Sequence, residues 1–378
     1  MKNKKITILM LHLQFGGIEK QTITFANELS KKYEVEIISA YSMNLKPAYE
    51  INKNIKIKYL INGAPNRNEF KEAFKSKNII KTFKEGLKSI KILYLKNSLM
   101  IKEVKKLKCD FAFSTRIEYA NMLSKYAPKG ITTLTEEHLH NDSNKYVKKI
   151  RKSFRNLDYL ITIGKGSTEN YSKWLMDNKK IKIIEIPNIL EHVSEETSKL
   201  ETNNIVSVGR LHPVKDFTTL VKVFELVQNK IETAKLTIVG GGDELGDLEK
   251  LIDTLKLKDK IVITGMVSKE KVEEYMLNSS IYVMTSLTEC FPMVLLEASS
   301  VGVPLISFDV PVGPKAIINN GENGYLIEDR NIDKMAEKII ELLNNKKELK
   351  RLGENAQKNS YKYLPENIME KWYEIFDK

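Results

Sequence analysis

Short apolar runs rich in β-branched residues alternate with amphipathic stretches along the whole chain. ITILML (6–11), VEIISA (35–40), IKIKYL (55–60), FAFST (111–115), ITTLTEE (131–137), YLITIG (159–164) and KIIEIP (182–187) read as strands. After a polar break, HVSEETSKLETNN (192–204), the pattern restarts with IVSVG (205–209), LTIVG (236–240), IVITG (261–265), IYVMTS (281–286), PLISFD (304–309) and GYLI (324–327). Several runs are continuously apolar, as parallel strands covered on both faces must be. Helical patterns at 17–31, 214–229, 244–256 and 331–344 fill the gaps. The alternation predicts an α/β protein with two doubly wound, Rossmann-like domains. Ligands in such sheets sit beyond the carboxyl ends of the strands, so two facing domains imply a cleft between them. The expected boundaries are 1–188, a linker at 189–204, 205–361, and a C-terminal helix at 362–378 returning to the first domain.

Charge divides these domains. Residues 1–190 carry 37 Lys and Arg against 18 Asp and Glu, while the remainder carries 24 against 31. The excess is densest in 51–108, with 16 basic and 4 acidic residues. One half of the molecule is built to meet something anionic. Phe70, Phe74, Phe83, Leu87 and Ile90 lie among those lysines with the spacing of one helical stripe. An amphipathic helix drawn to an anionic membrane fits that pattern, as does a helix packing its stripe on its own domain. No recognition motif or stacking array accompanies the charge, which argues against nucleic acid. No run approaches the ~18 apolar residues of a membrane helix. The opening MKNKKITILMLHLQF resembles a signal peptide but lacks a small-residue cleavage site, so it reads as a retained first strand. Cys109 and Cys290 make no disulfide framework, which suits a reducing cytoplasm.

The candidate chemistry gathers at strand ends. Gly16 and Gly17 follow the first strand and open a helix, where free backbone N–H groups and a positive dipole can take phosphate; a tight turn touching nothing is the plainer reading. The glycine-rich turn IVGGGDELG (238–246) allows the same two readings. In VGRLHPVKDF (208–217), Gly209, Arg210 and Lys215 set two cations beside a glycine at a strand's carboxyl edge, a place for a diphosphate. In LTEEHLHND (134–142), His138 and His140 share one face if the strand persists, but no third His or Cys lies nearby to complete a zinc site. One of them donating to an anionic or sugar oxygen fits better. In ECFPMVLLE (289–297), Glu289 falls in a loop and a helix starts near Phe291-Pro292. The first amides of that helix, at Met293 and Val294, offer an anion or hydroxyl site, and Glu297 lies about one turn further on. Carboxylates so placed are acceptors for paired sugar hydroxyls.

These motifs, with SVGVPLISFDVPVGPKAII and NGENGYLI behind them (300–327), resemble the family-4 retaining glycosyltransferases of the GT-B fold. The resemblance runs over essentially the whole chain and is densest over 205–327. It implies a nucleotide-sugar-binding C-terminal domain and an acceptor-binding N-terminal domain. Arg210 and Lys215 match the pair that holds the donor diphosphate, and Glu297 the glutamate that binds the ribose. Glu289 matches the carboxylate close to the donor sugar. The backbone of Phe291, Pro292, Met293 and Val294 falls where sugar hydroxyls and phosphate are contacted. Gly16 and Gly17 match the loop that closes over the phosphate, Gly265 the backbone that reads the base, and His138 the histidine near the reacting centre. Cys290 and Ile189 stand where the family commonly has glycine.

The resemblance further implies transfer with retention of anomeric configuration, no obligatory metal, and no cofactor beyond the nucleotide-sugar cosubstrate, for which UDP is the family-weighted base. A glycan or lipid-linked acceptor follows, with the enzyme cytoplasmic and peripheral at the inner face of the cell membrane. A sugar-nucleotide epimerase of the same fold, or a non-catalytic partner of another transferase, are the alternatives.

Overall fold

Both sheets reverse their strand order at one point, and the loops that carry the candidate chemistry leave from those points. The computed structural model describes residues 4–138 and 141–377, which divide into two units. Unit 1 comprises Met1–Thr162, Asn170–Glu185 and Tyr373–Lys378, and unit 2 comprises Ile163–Glu169 and Ile186–Trp372.

Unit 1 runs β1 (Lys5–Met10), α1 (Gly17–Leu29), β2 (Glu34–Tyr41), β3 (Lys56–Ile61), α2 (Arg67–Lys75), α3 (Ile79–Val104), β4 (Phe111–Ser114), α4 (Ile117–Tyr126), β5 (Thr132–Glu137), α5 (Asn144–Ser153), β6 (Tyr159–Thr162), the end of α6 (Lys165–Trp174) and β7 (Lys182–Glu185). The sheet is parallel in the order β3-β2-β1-β4-β5-β6-β7. Its order reverses between β1 and β4, the crevice where open sheets bind ligands.

Unit 2 runs β8 (Asn204–Val208), α7 (Phe217–Gln228), β9 (Lys235–Val239), α8 (Leu245–Thr254), β10 (Ile261–Ile263), α9 (Lys269–Leu277), β11 (Ile281–Met284), α10 (Met293–Ser300), β12 (Leu305–Phe308), β13 (Gly324–Ile327), α11 (Ile332–Leu343) and α12 (Lys346–Ser360), then most of α13 (Pro365–Phe376). The parallel order β10-β9-β8-β11-β12-β13 reverses between β8 and β11. Successive strand residues feed opposite layers. Ile205, Ile281 and Ile306 pack under α7 and α11, while Val206, Tyr282 and Leu305 pack under α10. This two-sided burial is why the apolar runs are continuous. Four strands, β6, β7, β10 and β11, end two residues before their apolar runs do.

The last turn of α13 lies with unit 1. Phe376 sits edge-on to Phe111 at 4.9 Å and near Tyr33 at 5.8 Å, and Lys4 Nζ donates to its carbonyl at 2.6 Å. Tyr33 donates to Asp377 at 2.7 Å. Burial, then that carboxylate, pushes the Tyr33 phenol up.

The basic segment departs from the single helix expected. It breaks at Lys77, which takes a left-handed φ of 55°, and restarts when Asn78 caps α3 by accepting from Lys81 N–H. The stripe therefore spans two helices. Phe70 is half-buried against Gly86, but Phe74, Phe83, Leu87 and Ile90 are exposed, joined by Ile79, Ile80 and Tyr94. The fully buried residues of α3 all lie in its C-terminal third, at Lys96, Met100 and Val104. A stripe packed on its own unit is therefore not what forms.

Glycine in the β9–α8 turn serves the fold. Gly240 has φ 144°, and a Cβ there would stand 2.0 Å from the Gly209 carbonyl oxygen. The turn lies directly on the loop after β8, tied by Gly209 N–H to Val239 and Leu211 N–H to Gly241, each 3.0 Å. Gly246, in the first turn of α8, meets nothing within 4 Å. The same substitution should act oppositely at the two positions. Gly240→Ala should lose about 2 kcal/mol or more, and Gly246→Ala should gain about 0.5–1 kcal/mol, both read by denaturant unfolding.

Candidate functional site

In unit 2 the loops after β8 and β11 are bound to one another. β8 ends beneath Tyr282 of β11, whose buried hydroxyl pairs with both the N–H and the C=O of Val208 at 3.2 Å. The chain then passes Gly209, exposed Arg210 and buried Leu211 into a 3-10 turn, Pro213–Lys215, capped by His212. Asp216 follows with φ 48° and caps α7 by accepting from Thr219 N–H. Arg330 closes the junction. It donates to Asp216 at 2.5 Å, to the carbonyl of Thr285 at 2.9 Å and to that of Ser286 at 2.8 Å, with its guanidinium over the Phe308 ring at 4.4 Å. Leu287 N–H donates to Val214 at 2.8 Å, and Thr285 Oγ1 to the Asp216 carbonyl at 2.9 Å.

This stapling brings Lys215 to Glu289, with Nζ 2.5 Å from Oε1. Arg210, by contrast, has no ion pair or side-chain hydrogen bond among the described residues. α10 begins at Met293, so Pro292 stands just outside the helix as its cap instead of inside the first turn. Lacking an N–H, Pro292 gives a ligand no donor. Its carbonyl accepts from Leu295 at 2.9 Å, which leaves Met293 and Val294 as the leading amides. Phe291 is core, buried against Tyr363 at 5.8 Å. Glu297 lies half-buried one turn into α10. Burial pushes the Tyr282 phenol far up, and the charges of Glu289 and Glu297 add to that push. Gly265, φ 69°, pairs with Gly240 at the end of β10, one strand beyond β9 on the side away from this junction.

In unit 1 the loops after β1, β4 and β5 gather a second polar cluster. Gly16 caps α1, and a Cβ there would meet Glu19 Oε2 at 2.1 Å. The carboxylate of Glu19 therefore occupies the space against Gly16 at the helix start, where phosphate was expected. Gly17 meets nothing within 4 Å. Glu19 is buried, paired with Arg116 at 3.0 Å and 3.9 Å from His12 Nδ1. Burial holds His12 below its ordinary value, Glu19 opposes that, and Arg116 reinforces it. His138, just past β5, places Nε2 3.2 Å from Glu136 Oε2, an ion-pair distance without hydrogen-bond alignment. Burial alone would lower its pKa, but Glu136, then Glu137 and Glu19, carry it above the usual 6.5. His140 lies outside the described residues.

The structure thus brings Arg210, Lys215, Glu289, the start of α10 and Glu297 to one sheet edge of unit 2. Gly16, Gly17 and His138 fall at one sheet edge of unit 1. Sequence reasoning missed Arg330, Asp216, Glu19, Arg116 and His12. The one available signal was the acidic residue three places after Gly16, a spacing at which a side chain folds back on its own helix start.

Residues 189–359 match the family model described as glycosyl transferases group 1. The exopolysaccharide phosphotransferase SCO2592 of Streptomyces coelicolor is 25% identical over 98% of this chain, which spans 40% of that protein's length. A Campylobacter jejuni N-acetylgalactosamine-N,N'-diacetylbacillosaminyl-diphospho-undecaprenol 4-alpha-N-acetylgalactosaminyltransferase is 26% identical, with 95% of each chain covered. Among solved structures, a point mutant of TarM from S. aureus, in complex with Fondaparinux, alpha-GlcNAc-glycerol and UDP, superposes with a TM-score of 0.77 at 17% identity, covering 99% of this chain and 100% of that one. The shared fold is GT-B. The family match thus falls on the segment that holds the β8–β11 junction, and the fold match extends over both units.

Proposed function

We propose that this protein transfers a sugar from a nucleoside-diphosphate donor, UDP-linked, to a glycan or lipid-linked acceptor of the cell surface, with retention and without an obligatory metal. The observation that carries the reading is the junction at β8 and β11. There two cations, two carboxylates and a helix start share one sheet edge inside the segment that matches the family model. Relatives whose names include a diphospho-undecaprenol acceptor and an exopolysaccharide support the acceptor class. The UDP in the TarM complex supports the base. Neither the epimerase nor the non-catalytic alternative gains support from them.

In this reading Arg210, Lys215 and the amides of Met293 and Val294 hold the diphosphate and stabilise the charge that develops on its leaving oxygen. Glu297 accepts from the ribose and Glu289 from sugar hydroxyls, with Gly209 giving the diphosphate room and Gly265 facing the base. A bond forms from the acceptor oxygen to the anomeric carbon as the bond to the β-phosphate breaks. The acceptor's proton passes to the departing phosphate on the same face. Fixed protein cations take the place a divalent ion would fill. His138, whose pKa its carboxylate neighbours raise, is assigned to the acceptor side. Gly16 and Gly17 keep the assignment to a phosphate-covering loop on the resemblance alone, since Glu19 already covers the helix start.

The exposed face of α2 and α3 supports a peripheral seat on the cytoplasmic leaflet, where lysines meet anionic headgroups and Phe74, Ile80, Phe83 and Leu87 enter the interface. No helix among the described residues is long and apolar enough to cross a membrane.

Calorimetry with UDP, GDP, ADP and dTDP, each with and without magnesium, should show UDP binding independent of the metal. Binding of none of them, or binding only with magnesium, would sink the donor site. Arg210→Ala should weaken that binding about tenfold or more.

By NMR the His138 imidazole should titrate above 6.5, and Glu136→Gln should bring it down. Because its folded pKa is raised, its contribution to stability is fully present below pH 6.5 and fades as pH rises through the folded value.

Vesicles containing phosphatidylglycerol should pull the protein down at low salt and release it at high salt. Ile80→Ser with Phe83→Ser should cut that binding about tenfold. A wild-type protein indifferent to such vesicles would remove the membrane contact.

A further inference from the structure

The two cations of the unit 2 junction are not equivalent. Arg210 is exposed and has no side-chain partner among the described residues, whereas the head of Lys215 is already taken by Glu289. That pair is well shielded, with side chains 25% and 14% exposed. Its two members are also unequally fixed. The Glu289 backbone is gripped from behind by the loop before Pro314. Gly313 N–H donates to the Glu289 carbonyl at 3.0 Å, Val312 bridges Glu289, and a Cβ on Gly313 would stand 2.6 Å from that of Glu289. Lys215, by contrast, lays its flexible stem past Gly209, with Cδ and Cε 3.6 Å from where a Cβ there would be. A point charge on four methylenes can re-aim; a carboxylate on a clamped loop cannot move far.

We propose that the Lys215–Glu289 ion pair is a latch opened by the donor's own diphosphate. Glu289 becomes free to accept from sugar hydroxyls only after Lys215 has exchanged its carboxylate for phosphate. The proposal rests on reading this junction as the donor site. Arg210 meets the diphosphate first, because nothing has to be displaced from it. Lys215 then turns from one anion to another, and the diphosphate shifts that equilibrium only by the excess of its attraction over that of Glu289. A free sugar brings no anion to compete for the lysine, so Glu289 stays neutralised and the sugar pocket stays shut. Specificity for sugars carried on a diphosphate is thereby written into the pair itself. No covalent step is involved.

The pairing makes a prediction that runs against the usual result of deleting a binding-site carboxylate. UDP binding is measured by calorimetry on the full chain for wild type, Glu289→Gln, Lys215→Met and the double variant, with thermal unfolding as the check that each is folded. Glu289→Gln should bind UDP about three- to tenfold more tightly than wild type, the strength of a partly screened ion pair. In the Lys215→Met background the same change should leave UDP affinity unaltered. Unchanged or weaker binding by the single Glu289→Gln variant overturns the latch while leaving the donor site standing. An equal gain with and without Lys215 also overturns it, since the carboxylate would then act by simple repulsion. If wild type binds no UDP, GDP, ADP or dTDP, the donor reading falls and the latch falls with it.

Discussion

The arrangement of unit 2 depends on one guanidinium. Arg330 leaves the chain just after β13 in a left-handed conformation that few side chains adopt, and its planar fork binds Asp216, Thr285 and Ser286 at once. Backbone carbonyls at the end of a buried strand need partners, and here a charged donor far along the sequence satisfies two of them. Through that contact the turn holding Lys215 and the loop holding Glu289 are one piece of structure. Tyr282 braces the same junction from below, and Gly240 lets the neighbouring turn press on it. The side chains of Lys215 and Glu289 bond to each other and not to that network.

The strands were legible because their composition has a single cause. Burial on both faces demands continuous β-branched runs, so thirteen strands could be placed with errors confined to their ends. Those end errors have a direction. The last residues of the runs at 159–164 and 281–286 are apolar or small enough to look like strand, but they have already turned into loops at the carboxyl edge. The helix break at Lys77 was not legible, since a left-handed lysine carries no compositional mark. Whether the stripe beside it was buried could not be read either, because periodicity reports that a face is apolar and not what covers it.

At the candidate site, residue types were legible and pairings were not. Two cations after a glycine, and two glutamates around a helix start, named the chemistry that the geometry brings together at β8 and β11. Nothing in the local sequence said that Lys215 would already be engaged with Glu289, since that depends on a contact across 74 positions. The glycines misled in a consistent way. Gly16 and Gly240 each admit another part of the protein, a carboxylate in one case and a carbonyl in the other, so an absent side chain is as much evidence of close internal packing as of a ligand.

The division of charge bears on how such a site could fill. The half of the chain that holds the diphosphate candidates has more acidic than basic residues, so its long-range field opposes an anionic ligand. Screening limits that opposition, since at physiological ionic strength charges beyond about 8 Å count for little. The groups an anion placed at this junction would find at close range are Arg210, the lysine that Glu289 holds, and the leading amides of α10. The strongly basic first half supplies the opposite long-range sign. The apolar residues exposed beside the lysines of 51–108 are a feature that charge alone does not account for, and they call for a partner.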